Sequence, residues 1–187
     1  MRRRPFLLLP ALLAACTSPP VSYYTLQPRS GRTLPAVPGR MELRRIGLAA
    51  YLDRPGLVRD GADYKIEVSE TERWAEPLGR MIGRLLTEEL LDRLPDLTIS
   101  AETGAITTDP DLVVEIDISR FEADATGAVV LLAQVSLRQE RGNHPAIART
   151  LHLTRPAGTG TEAQIAAMSD ALGDLADHIA AMVAAAR

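Results

Sequence analysis

Four acidic residues crowd one short segment of the chain, namely Asp109, Asp111, Glu115 and Asp117. Carboxylates that lie close together can bind a cation or exchange protons in acid–base catalysis. However, every second side chain from residue 112 to residue 118 is apolar, and this alternation is typical of a half-buried strand. We therefore expect these acids to form the solvated face of an amphipathic strand, and we expect no metal site here.

Two other patterns could also carry chemistry. The sequence from Gly158 to Ala163 fits G-x-G-x-x-A, but no second parallel strand follows the next helix, so a dinucleotide site is not expected. The histidines His144, His152 and His178 lack metal-ligand spacing, and there is no H-E-x-x-H or G-x-S-x-G sequence. The chain is thus expected to be neither an enzyme nor a cofactor binder.

The only cysteine, Cys16, ends a short amino-terminal segment, MRRRPFLLLPALLAAC. Three arginines precede an apolar run that is too short to span a bilayer, for which about 20 residues are needed. Leu13 to Cys16 has the form of a lipobox, so residues 1–15 are predicted to be a lipoprotein signal peptide and Cys16 the acylated mature amino terminus. The alternative is an ordinary secretory signal with a chance cysteine. Acylation would consume the only thiol and exclude disulfides and catalytic cysteines.

Several acyl chains would anchor the protein permanently, at about 0.8 kcal/mol per buried methylene. The residue after the cysteine is Thr17, and in this the chain resembles lipoproteins that are sorted to the outer membrane. The protein is therefore expected on the periplasmic face of that membrane. Removal of residues 1–15 deletes three of 21 basic residues and none of the 24 acidic ones, which takes the formal net charge from −3 to −6. Lys65 is the only lysine and no basic run occurs, so nucleic-acid binding is not expected.

The middle of the chain is organised around one amphipathic helix, predicted from Pro77 to Leu94. Large apolar residues recur there at steps of three and four, and Pro95 ends the pattern. Trp74, just before this helix, is interpreted as a core residue, with a partner hot spot as the alternative. A second helix is predicted over 161–186, where the apolar stripe faces either the chain's own sheet or a helix of another subunit.

Short strand patterns fill most of the remainder. They are predicted at 21–26, 43–52, 57–59, 64–68, 97–100, 112–119, 129–137 and 146–153. Residues 16–40 are rich in proline and are interpreted as the lipidated amino terminus and an extended tether. Residues 41–187 are then one α+β domain, a mainly antiparallel mixed sheet with two long amphipathic helices packed on one face.

Cys16 and three short motifs in fixed order carry a resemblance that reaches beyond these patterns. The motifs are Tyr23-Tyr24-Thr25-Leu26, Tyr51-Leu52-Asp53-Arg54-Pro55 and Arg73-Trp74-Ala75-Glu76-Pro77-Leu78. Together they resemble the PqiC-like auxiliary lipoprotein family of ABC-type transport systems, which is associated with membrane integrity. The likeness covers nearly the whole mature chain. Only Cys16 takes a definite role from it, and the motif residues have no assigned role.

The resemblance implies a subunit that docks a periplasm-spanning MCE-domain protein at the outer membrane in a lipid-transport system. An inner-membrane ABC permease and ATPase would supply the energy, and no cofactor is implied. The resemblance also allows a homo-oligomer around the mouth of the tunnel. A second hypothesis is a lipoprotein that binds a lipid or amphiphile itself, in a groove between helices and sheet. A periplasmic hydrolase would need a nucleophile–base pair that the sequence does not suggest.

Overall fold

The computed structural model describes residues 19–35, 38–61, 63–102, 104–105, 109–142 and 144–186. Within these ranges the chain forms an open nine-stranded mixed sheet and two helices, which is the predicted α+β class. The elements are β1 (Ser22–Tyr24), β2 (Gly39–Leu43), β3 (Gly47–Leu48), β4 (Gly56–Asp60), β5 (Ile66–Trp74), α1 (Leu78–Arg93), β6 (Leu97–Ala101), β7 (Leu112–Ala123), β8 (Val129–Gln139), β9 (Ile147–Arg155) and α2 (Thr161–Ala185).

The long strand β7 is the centre of the sheet. On one side it pairs with β8, which pairs with β9, and both ladders are antiparallel. On its other side β7 pairs in parallel with three short strands in succession, β2 near its start, β3 in the middle and β4 at its end. The sheet therefore divides along this edge: β2 continues to β6, and β4 continues to β5 and β1.

The predicted alternation along β7 is confirmed. Ile116 and Ile118 are buried, whereas Glu115 and Asp117 are exposed on the open face of the sheet. The strand continues four residues beyond the predicted end at Ser119, because a register shift between Ile118 and Arg120 lets it resume its ladder with β8.

Both helices cover one face of the sheet, as predicted. In α1 the residues of the apolar stripe are buried, and Pro77 lies just before the first helical residue, Leu78. In α2 the stripe packs on α1, β8 and β9, which confirms the interpretation that it faces the chain's own sheet. Neither of the two helices in the described chain is long and apolar enough to cross a membrane.

One predicted strand is wrong. Residues 43–52 do not form a single strand: β2 ends at Leu43, β3 holds only Gly47 and Leu48, and a turn follows. The turn is closed by a hydrogen bond from the Leu52 N–H to the Ala49 carbonyl, 2.9 Å long. The Leu52 side chain is 0% exposed, so burial of this apolar residue stabilises the turn.

The segment from Leu26 to Leu34, which we call the strap, lies within the residues interpreted as a tether. It leaves β1 and packs across both helices: Leu26 is 2% exposed, the Gln27 N–H donates to Ser169 Oγ on α2, and the Leu34 N–H donates to the Arg93 carbonyl on α1. Gly173 in α2 makes room for it, since a Cβ there would lie 2.9 Å from the Cβ of Arg29. The strap thus packs against the domain through both helices.

Candidate functional site

The fold brings the three sequence motifs together around Trp74. In the parallel ladder between β1 and β5, Tyr23 lies opposite Arg73 and Tyr24 lies opposite Trp74. The backbone N–H of Trp74 donates to the Pro55 carbonyl (2.8 Å), and that of Ala75 donates to the Tyr24 carbonyl (2.9 Å). Residues far apart in sequence therefore share one hydrogen-bonded site at the start of α1.

Part of each motif is core. The buried members, Leu26, Leu52, Trp74 and Leu78, are all at most 6% exposed. Trp74 is therefore a core residue, as interpreted from the sequence. Burial of each large apolar side chain stabilises the fold by about 1.5–3 kcal/mol. These four motif residues therefore have a structural role. Glu76 serves the helix as well, because its carboxylate pairs with Arg84 at 2.6 Å.

Most of the other motif residues face solvent. We call the exposed set the motif patch, and it consists of Tyr23, Thr25, Asp53, Arg54, Pro55, Arg73, Ala75 and Pro77, whereas Tyr24, Tyr51 and Glu76 are half-buried. The ring of Tyr23 is 66% exposed although it lies in a strand. The guanidinium of Arg73 is oriented by a bond from its Nε to the Glu70 carbonyl, 3.1 Å long. Tyrosine and arginine are the side chains enriched in protein interfaces, so the patch has the composition of a docking surface.

Tyr51, which begins the second motif, belongs to a buried polar cluster that the sequence did not reveal. Its hydroxyl donates to Glu122 Oε2 at 2.7 Å, and Glu122 is only 1% exposed. The same carboxylate accepts from the Phe121 N–H (2.9 Å) and from Arg120 Nε (2.8 Å). Burial, and next the adjacent carboxylate, raise the pKa of Tyr51 well above its usual range. The only sign of this cluster in the sequence was an acidic residue, Glu122, between the apolar residues Phe121 and Ala123, beyond the end of the predicted strand.

A second buried polar cluster lies under the strap. Arg93 is 1% exposed, pairs with Asp177 at 2.6 Å and donates to the carbonyls of Arg29, Glu89 and Gly173. Glu89 Oε1 accepts from the Arg29 N–H at 2.8 Å, whereas Glu89 Oε2 is buried without a hydrogen-bond partner. Burial raises the pKa of Glu89 to about 7, against the opposing effects of that hydrogen bond and of the nearby arginines.

The acidic segment of β7 does not gather into a site. Asp111 pairs with Arg40 and Arg141 at 3.5 and 3.4 Å, and these arginines hold the pKa of its carboxyl below the usual value. Across the described residues, no three histidine, cysteine or acidic side chains form a group that could hold a metal ion. At the first residue of α2, the Thr161 hydroxyl accepts from Arg59 and donates to Glu72, so it serves the fold.

Two open cavities occur outside the motif patch. One of about 570 Å³ lies on the open face of the sheet and is lined largely by charged and polar residues such as Arg45, Glu115 and Arg149. The other, of about 520 Å³, lies between Pro38, Arg141, His144 and the end of α2. Neither lies between helices and sheet, where apolar side chains from 0% to 7% exposed fill the space in the described chain.

Cys16 and the signal peptide lie outside the described residues, so acylation of Cys16 stays a prediction. The exposed residues of the three motifs are described, and the fold brings them together on the surface as the motif patch.

Solved structures match this fold over most of the chain. An uncharacterized protein is 19% identical with a TM-score of 0.75, covering 88% of this chain and 99% of its own. A Xanthomonas campestris protein of the DUF330 family is 20% identical with a TM-score of 0.73, covering 86% and 93%. A hypothetical protein from Chlamydia trachomatis is 10% identical with a TM-score of 0.52, covering 80% and 99%. These likenesses show a shared fold.

No curated protein matches the chain. A family model does: that of the ABC-type transport auxiliary lipoprotein component matches residues 24–180. This range includes the whole sheet from β2 to β9, α1, the strap and most of α2, and it contains the second and third motifs complete. The resemblance drawn from the motifs is confirmed, and the chain belongs to the family of ABC-type transport auxiliary lipoprotein components.

Proposed function

We propose that this protein is a non-catalytic lipoprotein of the outer membrane that docks a periplasm-spanning MCE-domain protein of an ABC-type lipid-transport system. Membership of an auxiliary component family of ABC-type transport supports the general role. The acyl anchor at Cys16 holds the domain on the periplasmic face of the outer membrane. An inner-membrane permease and ATPase supply the energy, and the docked MCE-domain protein links them to this subunit.

The observation that carries the proposal is the convergence of three distant motifs on one surface. Hydrogen bonds from Trp74 and Ala75 to Pro55 and Tyr24 hold the three backbones together. The buried members fix the position of the surface, while Tyr23, Arg54 and Arg73 present an aromatic ring and two guanidinium groups to solvent. Such groups bind a protein partner through stacking and bidentate hydrogen bonds to carboxylates.

The alternative of a lipid bound between helices and sheet has less support. That interface is filled by the side chains of both helices and of β7 and β8 in the described chain. A ligand there would have to displace core residues such as Leu86 and Leu172, each 0% exposed. A docking role requires no such rearrangement.

Copurification from native membranes tests the proposal. The full-length protein, purified by affinity and analysed by mass spectrometry, is expected to bring along an MCE-domain protein and its ABC permease or ATPase. Cys16→Ala removes the anchor and is expected to lose most of these partners. A second variant, Tyr23→Ala with Arg73→Glu, keeps the anchor and alters the motif patch, so it should also lose them.

Arg149→Glu is the matched control, because Arg149 is an exposed arginine on β9, away from the motif patch. It makes the same charge change and should retain the partners. If the wild-type protein copurifies with no transport component, the proposed function is wrong. If Arg149→Glu loses the partners and the motif variant keeps them, the docking surface has been assigned to the wrong face.

A further inference from the structure

The exposed apolar side chains of the described chain are not scattered over the surface. Seven large ones are exposed, and five of them lie on or beside two strands, β1 and β5: Val21, Tyr23, Tyr64, Ile66 and Val68. Tyr64, Ile66 and Val68 follow one another at every second position at the start of β5. They mark one end of the sheet, the turn that connects β4 with β5.

This turn holds an aromatic ring away from the fold. The Gly61 N–H donates to the Lys65 carbonyl at 2.9 Å and closes the turn. Asp63 and Tyr64 have φ angles of 58° and 62°, a left-handed conformation that bulky residues rarely adopt. The Tyr64 side chain is fully exposed, and Lys65, the only lysine of the chain, follows it. Tyrosine and lysine are residues that favour the boundary between lipid and water.

The direction of β1 places this turn within reach of the predicted anchor. Because β1 runs parallel to β5 and Ser22 lies opposite Glu72, the chain that precedes Ser22 approaches from the side where β5 begins. Cys16 is six residues before Ser22, and Ile66 is six residues before Glu72. Six fully extended residues span roughly 20–22 Å, so the acylated residue can reach the level of the turn.

The other end of the domain lies beyond this reach. β4 pairs with Ala123 at the end of β7, whereas β2 and β6 lie at its start, where Met41 is opposite Leu112. β7 is 12 residues long. Tyr23 is opposite Arg73, and Arg73 is opposite Gly56, three residues before Arg59 and its partner Ala123. Ser22 is therefore near the level of Arg120, and at about 3.3 Å per residue Leu112 lies roughly 26 Å farther along β7. A short anchor can therefore reach the end of the sheet that carries Tyr64 but not the opposite end.

We propose that the turn between β4 and β5 rests on the lipid bilayer, with the side chains of Tyr64, Ile66 and Val68 in the headgroup layer beside the acylated Cys16. This inference rests on the lipid anchor of the proposed function but not on its partner. Asp60, Asp63 and Glu67 flank the turn, so the contact is shallow and suits zwitterionic headgroups better than anionic ones. Arg73 of the motif patch lies opposite Gly56, four residues before Asp60 at the end of β4, so the patch then lies about 13 Å or more from the turn and faces the periplasm.

A fluorescent label at the turn tests this orientation. In the mature protein the Cys16 sulfur is acylated, so the thiol of a Tyr64→Cys variant is the only reactive one. The acylated protein, confirmed by its intact mass, is labelled with nitrobenzoxadiazole and reconstituted into phosphatidylcholine vesicles that contain a doxyl-labelled lipid. The matched control is Asp96→Cys, an exposed acid just before β6 at the far end of the sheet.

We expect the lipid quencher to reduce emission from position 64 several-fold more than emission from position 96, and addition of Ile66→Ser with Val68→Ser to weaken this quenching. Equal quenching at both positions, or stronger quenching at 96, overturns the proposed orientation. An intact mass without acyl chains overturns it too, because no anchor then directs the turn. The quenching result leaves the copurification test free to succeed, whereas a missing acyl chain also contradicts the anchor of the proposed function, so the two kinds of failure are distinguishable.

Discussion

The strap and Tyr51 each cover one buried glutamate, and the two carboxylates differ in their partners. Glu89 under the strap is 2% exposed, and Glu122 under Tyr51 is 1% exposed. Glu122 accepts from a hydroxyl, a backbone N–H and a guanidinium. Glu89 accepts from one backbone N–H, and its second oxygen has no hydrogen-bond partner.

The comparison shows that the number of hydrogen-bond donors, rather than the depth of burial, determines how a buried glutamate contributes to the fold. Three donors replace the water that Glu122 loses, so the charged cluster can fasten the start of the second motif to β7. Glu89 lacks such donors, and its pKa is raised to about 7. The strap is then held mainly by Arg93, whose four hydrogen bonds reach α1, α2 and the strap itself.

Removal of Arg93 should give the largest effect. Arg93→Met keeps an apolar stem but leaves the carbonyls of Arg29, Glu89 and Gly173 without their donor, so we expect a loss of about 3–5 kcal/mol in the free energy of unfolding. Urea unfolding of the soluble Cys16→Ala chain measures it. Arg80→Met, an exposed arginine on the same helix, should change stability by less than about 0.5 kcal/mol. A loss below about 1 kcal/mol would show that Arg93 does not hold the strap.

The titration of Glu89 should give the next effect. Its pKa is about 7 in the folded protein and 4.5 ordinarily. The folded protein therefore binds the proton more tightly than the unfolded chain, and this group's contribution to stability falls as the pH rises from 4.5 to 7. The loss amounts to about 3 kcal/mol.

Glu89→Gln keeps an acceptor for the Arg29 N–H and removes the titration. We expect the variant to be about 3 kcal/mol more stable than the wild type at pH 8 and similar to it near pH 4. Urea unfolding of both chains across this range gives the difference, in which the other titrating groups cancel. Two curves that stay parallel would mean that folding does not shift the pKa of Glu89, and the contrast with Glu122 would disappear.

The smallest effect should come from the hydroxyl of Tyr51. Tyr51→Phe removes one of the three donors to Glu122, and because Tyr51 is only partly buried, water can replace it in part. We expect a loss of about 1–2 kcal/mol. Tyr23→Phe, which changes an exposed hydroxyl of the motif patch, is the control and should be nearly neutral. Equal losses in both variants would argue against a special role of the cluster under Tyr51.

Much of this molecule could be predicted from local pattern. The stripe of α1, the alternation along β7 and the paired strand β8 were placed correctly, because burial on one face imposes a period that the sequence must show. The three motifs identified the family for the same local reason, since each is a contiguous run of residues. The predicted acylation of Cys16 also rests on a contiguous pattern.

Tertiary structure decided the rest, because the deciding partners are distant in sequence. The turn before Leu52 and the strap depend on contacts with β7 and with both helices, so proline content and short apolar runs gave no sign of them. The convergence of Pro55, Tyr24 and Trp74 is a matter of strand order, and the separate charge environments of Glu89 and Glu122 depend on donors up to 71 residues away. Sequence determined which segments bury a face, whereas only packing decided which residues meet.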